Sequence, residues 1–94
     1  MKYFTRMQVV EILEIDAGFL TELEQEEIIE FKAEQEAEAQ CTEMMLERIR
    51  VAHNLVHQLD VNLAGAAVIV QMREDMADLR RQLEAALRKL QQAD

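Results

Sequence analysis

Two histidines, one cysteine and an abundance of glutamates are the side chains of this sequence that could do chemistry. His53 and His57 stand four apart, a spacing that can place both imidazoles on one face of a helix and hold a metal ion. The metalloprotease form of that pair needs a glutamate directly after the first histidine, and Asn54 is there instead. No third ligand stands out at useful spacing, and no Glu-x-x-His pair of the kind that builds a di-iron bundle is present. The two residues are therefore expected as exposed helix histidines. Cys41 has no flanking cation along the chain to lower its pKa, which argues against a nucleophile. Serine is absent, and so is a glycine-rich phosphate loop. Acid–base work by carboxylates needs a deep pocket, which a thin helical domain rarely offers. The expectation is a protein that is not an enzyme and carries no catalytic residue, cofactor or metal.

The elements that must position these side chains follow from composition. The 94 residues allow one domain with a modest core, to which a dimer interface would add burial. Half of the residues are apolar, yet the aromatic ones are only Tyr3, Phe4, Phe19 and Phe31. Proline is absent and glycine occurs only at Gly18 and Gly65. Helix formers dominate, and the turn punctuation that many short strands need is missing. An all-α fold is expected. The lone Cys41 excludes an internal disulfide and fits a reducing compartment. The start, Met-Lys-Tyr-Phe-Thr-Arg, lacks the apolar run of a signal peptide. No stretch approaches the roughly 20 apolar residues of a membrane span, so a cytoplasmic protein is expected.

The net charge of −9 is unevenly distributed. From Glu22 to Glu47 there are ten glutamates against one lysine, Lys32, while acids and bases balance elsewhere. Such a surface repels nucleic acid and anionic membranes and attracts a basic partner.

Local patterns divide the chain. Thr5 is a plausible cap for a first helix carrying Met7, Val9, Val10 and Leu13. Asp16 can cap a second helix with Phe19, Leu20 and Leu23 on one face, giving a helix-turn-helix. Residues 30–40 lack apolar periodicity after Phe31 and read as a short extended or irregular connection. Thr42 caps a strongly amphipathic helix with Met45, Ile49, Ala52, Val56 and Leu59. Asp60-Val61-Asn62 closes it, and Asn62 opens the last helix. There Ile69, Met72, Met76, Leu79, Leu83, Ala86 and Leu90 follow a 3, 4 alternation, three heptads of a coiled-coil seam. Packing on the chain's own domain could cover that stripe up to about Met76, but a domain this small has little left beyond. A homodimer seam of Ile69, Met72, Met76, Leu79, Leu83 and Leu90 is expected, with helix direction left open by the flanking charges.

Thr42-Glu43-Met44-Met45-Leu46-Glu47-Arg48-Ile49-Arg50, continued by Asp60-Val61-Asn62-Leu63-Ala64-Gly65-Ala66 and Met72-Arg73-Glu74, resembles the MerR-like family. The Asn-Leu-Ala-Gly run is similar to one corner of it, the HspR-type heat-shock repressors and CbpM-type chaperone modulators. The resemblance spans roughly residues 3–90 and is strongest from 42 to 75. It implies an all-α, MerR-like winged helix-turn-helix remnant with a short vestigial β wing. Residues 1–62 then form the helical domain and 63–94 the dimerisation helix, as one structural unit.

A DNA-reading member carries arginines on its second helix and a basic wing, which neutralise phosphates and set register. Here the second helix reads Thr21-Glu22-Leu23-Glu24-Gln25-Glu26-Glu27-Ile28-Ile29, with Glu27 where a glycine is usual. The wing reads Glu30-Phe31-Lys32-Ala33-Glu34-Gln35-Glu36-Ala37-Glu38. This acidity disfavours DNA and looks like the CbpM-type modulators. Membership there implies binding to the J domain of a DnaJ/CbpA-type co-chaperone, whose basic helix faces a DnaK-type chaperone. Glu22, Glu26 and Glu30 would share a helical face if the helix persists that far, with Glu27 and Glu34 as secondary contacts. An HspR-type transcription regulator and a generic helical adaptor are the alternatives.

Overall fold

The computed structural model describes residues 2–34 and 37–93; Gln35 and Glu36 of the wing run lie outside the described residues, as do Met1 and Asp94. In chain order the elements are β1 (Tyr3–Thr5), α1 (Arg6–Leu13), α2 (Ala17–Gln25), β2 (Gln40–Thr42), α3 (Glu43–Gln58) and α4 (Leu63–Gln92). The fold is all-α with a two-stranded remnant of a wing, as the sequence suggests.

Each of the four described helices opens on a side-chain cap. Thr5 and Gln8 form a reciprocal capping box on α1. Asp16 accepts from the Gly18 N–H at 3.2 Å, Thr42 from Met45 at 3.2 Å, and Asn62 from Gly65 at 2.7 Å. Each cap satisfies a backbone donor that the helix leaves without a partner, worth about 1 kcal/mol. Gly65 has a further role. A Cβ there would stand 3.0 Å from the Val61 side chain and 3.1 Å from the Asn62 cap oxygen. The Asn-Leu-Ala-Gly run is thus a compact cap, tight around its own asparagine.

The core gathers one face from each helix. Val9, Leu20, Leu23, Ile49 and Ala52 are fully buried, and Phe4, Val10 and Leu13 pack against them half-buried. Met7 and Leu59, read from spacing as facing the core, are exposed. Leu59 has left the helical register at the end of α3, where it is the C-cap. The strands pair antiparallel, Tyr3 with Thr42, Phe4 with Cys41 and Thr5 with Gln40. Lys32 and Gln40 extend the pairing by exchanging N–H···O=C bonds of 2.8 Å in both directions. The described residues 30–34 and 37–40 are therefore the irregular connection expected, with Gln40 brought back beside Lys32 as a wing.

The second helix does not persist to Glu30; it ends at Gln25 with Glu26 as its cap. The Glu27 N–H donates to the Glu24 carbonyl and the Ile28 N–H to that of Leu23, the paired bonds of a Schellman ending. Its αL position, where glycine is usual, is held by Glu27 at φ 59°. The physical reason is burial. A continued helix would turn Glu27 onto the Leu20–Leu23 face and Ile29 outward. Ending the helix instead buries Ile28 and Ile29 together. Glu22, Glu26 and Glu30 consequently do not share a helical face.

In α4, Ala66 and Val70 are buried, and Glu74 below them makes a bidentate ion pair with Arg48 of α3. The heptad stripe of Ile69, Met72, Met76, Leu79, Leu83 and Leu90 lies on roughly the opposite side of the helix. Ile69 is half-buried, while Met72 is 55% exposed and Leu90 71%. The domain's own residues thus cover neither Met72 nor Met76, and the stripe is uncovered earlier along the helix than its sequence suggests.

An L-residue in the left-handed region costs about 1–2 kcal/mol, and glycine avoids that cost. Glu27→Gly is expected to raise stability by about 1 kcal/mol. Urea unfolding at matched protein concentration checks this; an unchanged or lower midpoint would contradict it.

Candidate functional site

The glutamates that concentrate the charge are held in three different ways. Glu24 is engaged: the Arg6 guanidinium donates to both its oxygens, at 3.0 and 2.6 Å. That hydrogen bonding raises the Arg6 pKa, and the same guanidinium lies 4.6 Å over the Phe31 ring. Glu47 is engaged by Arg50 one turn away, which lowers its carboxyl pKa. The other described glutamates of the run are exposed, among them Glu22, Glu26, Glu27, Glu30 and Glu34.

The structure brings some of those five together and separates others. Glu22 sits on α2 beside Asp16, Gly18 and the histidine pair, in a small depression of about 190 Å³. Glu27 and Glu30 flank a second depression, of about 440 Å³, between the end of α2 and α3; Ile28, Met45 and Arg48 line it too. Glu30 and Glu34 flank a third, of about 480 Å³, bounded also by Tyr3, Glu38, Cys41 and Met45. The last two meet at Glu30 and Met45. The acidic surface is therefore a saddle around the wing rather than one face of a helix. Glu26, at the α2 cap, borders none of the three.

Tyr3, Glu38 and Met45 belong to this saddle but carry no signal in the linear sequence. They meet only because β1 pairs with β2, which delivers the first turn of α3 beside the wing. Lys32 lies on the rim with its ammonium 3.8 Å from Glu30, a loose pair in which both partners are largely exposed. Arg48 fixes the opposite wall. It donates to the Ile28 carbonyl at 2.7 Å as well as to Glu74, and its pKa is raised by the Glu74 hydrogen bond.

Burial pushes the Cys41 thiol pKa up, which holds it neutral. His53 and His57 stack with ring centroids 4.2 Å apart, and the edge of Phe19 meets both at 5.4 and 5.2 Å. His57 is exposed as expected, but His53 is half-buried, because Phe19 of α2 packs onto it. Desolvation, and secondarily the neighbouring His57, lowers the His53 pKa. Among the described residues no group of three His, Cys, Asp or Glu could hold a metal ion. None of the described helices is long and apolar enough to cross a membrane.

In comparisons with known proteins, the family model described as MerR HTH family regulatory protein matches residues 4–90. No match was found among curated proteins or solved structures.

The depressed His53 pKa has a stability consequence. Above about pH 6.5 the imidazole is neutral in both folded and unfolded chains. As pH falls below that value, the unfolded chain takes up the proton first and stability is lost through the lower, folded pKa. Denaturant unfolding at pH 7.5 and at pH 5 should show this loss, and His53→Gln should reduce it. An equal pH dependence in both proteins would contradict the assignment.

Proposed function

The chain belongs to the MerR HTH regulatory family, and from that premise we propose that it is a CbpM-like modulator that binds the J domain of a DnaJ/CbpA-type co-chaperone as a homodimer. The observation that carries this reading is the acidic saddle. Where a DNA-reading relative needs cations, α2 exposes Thr21, Glu22 and Gln25, and the wing adds Glu27, Glu30 and Glu34. Phosphates are repelled by such a surface, whereas a basic protein helix is attracted to it. Occupying the basic helix of a J domain would exclude its DnaK-type chaperone and so restrain the co-chaperone's action.

The proposed dimer rests on the uncovered stripe of α4. Exposed apolar side chains repeat along its length, a pattern that pays no part in the chain's own core and suits a coiled coil. Charge favours an antiparallel pair. A parallel arrangement would set two acidic domains side by side. Over the 30 residues of α4, at 1.5 Å each, an antiparallel one separates them by tens of ångströms, well beyond a Debye length of about 8 Å.

Family membership itself favours a second reading, a DNA-binding transcription regulator. A gel shift on the gene's own upstream region tests it: a specific retarded band would support it, against the repulsion expected of α2.

Calorimetric titration into the J domain encoded nearest to the gene is expected to show binding that weakens from low to moderate salt. Reversing Glu27, Glu30 and Glu34, which border the saddle, to lysine should weaken it about tenfold or more. Salt-insensitive binding would keep the partner but move the contact to apolar residues, and no binding at low salt would overturn the proposal. For the dimer, Leu79→Glu with Leu83→Glu is expected to sediment as a monomer; an intact dimer would refute the seam.

A further inference from the structure

We infer that the groove between the wing and the start of α3 is a socket for an arginine side chain presented by a basic amphipathic helix of the partner. This rests on the reading of a basic protein partner above, and it places the anchoring contact within the saddle. Three observations lead to it.

The first is shape. The groove of about 480 Å³ lies between the β1–β2 pair, the segment carrying Glu30 and Glu34, and the first turn of α3. That volume is within the range of about 300–1,000 Å³ in which proteins hold ligand groups. The second is the floor. Tyr3, Cys41 and Met45 contribute an aromatic ring, a buried neutral thiol and a thioether, an apolar surface for the methylene stem of a long side chain. The third is the rim. Glu30, Glu34 and Glu38 stand around this floor; Lys32 is the one cation among the described residues that line it, and the Arg6 guanidinium, already forked onto Glu24, adds a weaker attraction at Glu38. An apolar floor under an acidic rim is complementary to a side chain that is apolar along its stem and cationic at its tip.

Arginine fits this better than lysine. Its planar guanidinium can donate to two carboxylates at once while lying against the Tyr3 ring, whereas an ammonium is a compact, strongly hydrated point charge. The Glu22 depression, by contrast, is much smaller and opens onto Asp16 and the histidine pair.

Nuclear magnetic resonance with the intact protein tests the socket. The probe is a short amphipathic helical peptide bearing two arginines one turn apart, with a control in which both are glutamine. The arginine peptide is expected to move the Met45 and Ala37 methyl and Tyr3 ring resonances, and the control to leave them in place. Glu34→Lys with Glu38→Lys should weaken binding about tenfold, and Lys32→Gln should tighten it severalfold. Absence of peptide binding, shifts confined to the Glu22 side of α2, or unchanged binding by the double variant would overturn the socket. The J domain, titrated separately, distinguishes the two readings. If it binds while the groove resonances stay still, the socket fails and the modulator reading stands. If it does not bind while the arginine peptide fills the groove, the modulator reading fails and the socket stands.

Discussion

The Arg48 guanidinium joins three parts of the chain that are far apart in sequence. Two of its nitrogens meet both oxygens of Glu74 on α4, and a third donates to the Ile28 carbonyl just beyond α2. A planar guanidinium permits only a narrow range of angles for such a fork, so this contact specifies geometry as well as adding energy. It sets the crossing of α4 over α3, and with it the direction in which the heptad stripe faces. It also anchors the chain where α2 turns into the wing, and so holds one wall of the acidic saddle. Both charges are only partly exposed, 17% and 31% at the side chain, which gives the pair more consequence than the loose surface pair of Glu30 with Lys32. Breaking one side of it would leave a half-desolvated charge without its counterpart.

The legible parts of the fold were those decided over short distances along the chain. Thr5, Asp16, Thr42 and Asn62 cap helices because their side chains reach backbone donors two or three residues on, a relation visible in any linear sequence. The stripe on α4 was equally legible, because its period belongs to a single element. Illegible were the features that depend on remote partners. Tyr3 to Thr5 form a strand only because Gln40 to Thr42 come back to pair with them. The end of α2 was obscured for a related reason: no glycine marks it, and the turn is imposed by the burial of Ile28 and Ile29 at the expense of Glu27. His53 reads as a surface residue until Phe19 arrives from another helix.

The candidate site shows the same division. Charge belongs to the residues themselves, so the acidic character of the segment was evident from the sequence, and Glu22, Glu26, Glu27, Glu30 and Glu34 are indeed outward-facing. Their grouping was not evident, because it depends on where α2 stops and how the wing folds back. Glu38, Tyr3 and Met45 enter the saddle through strand pairing alone. Glu24, from the most acidic part of the segment, is withdrawn by Arg6.

The apolar stripe of α4 lies on the side of that helix away from α3, while the grooves open beside the wing. Association through the stripe would therefore leave both acidic surfaces of a pair uncovered. Stoichiometry is the consequence: such an assembly has two equivalent docking positions and can hold two partner molecules. Toward a partner that is itself paired, the second attachment becomes intramolecular, and modest affinity at each end compounds into tight overall capture when the spacing matches.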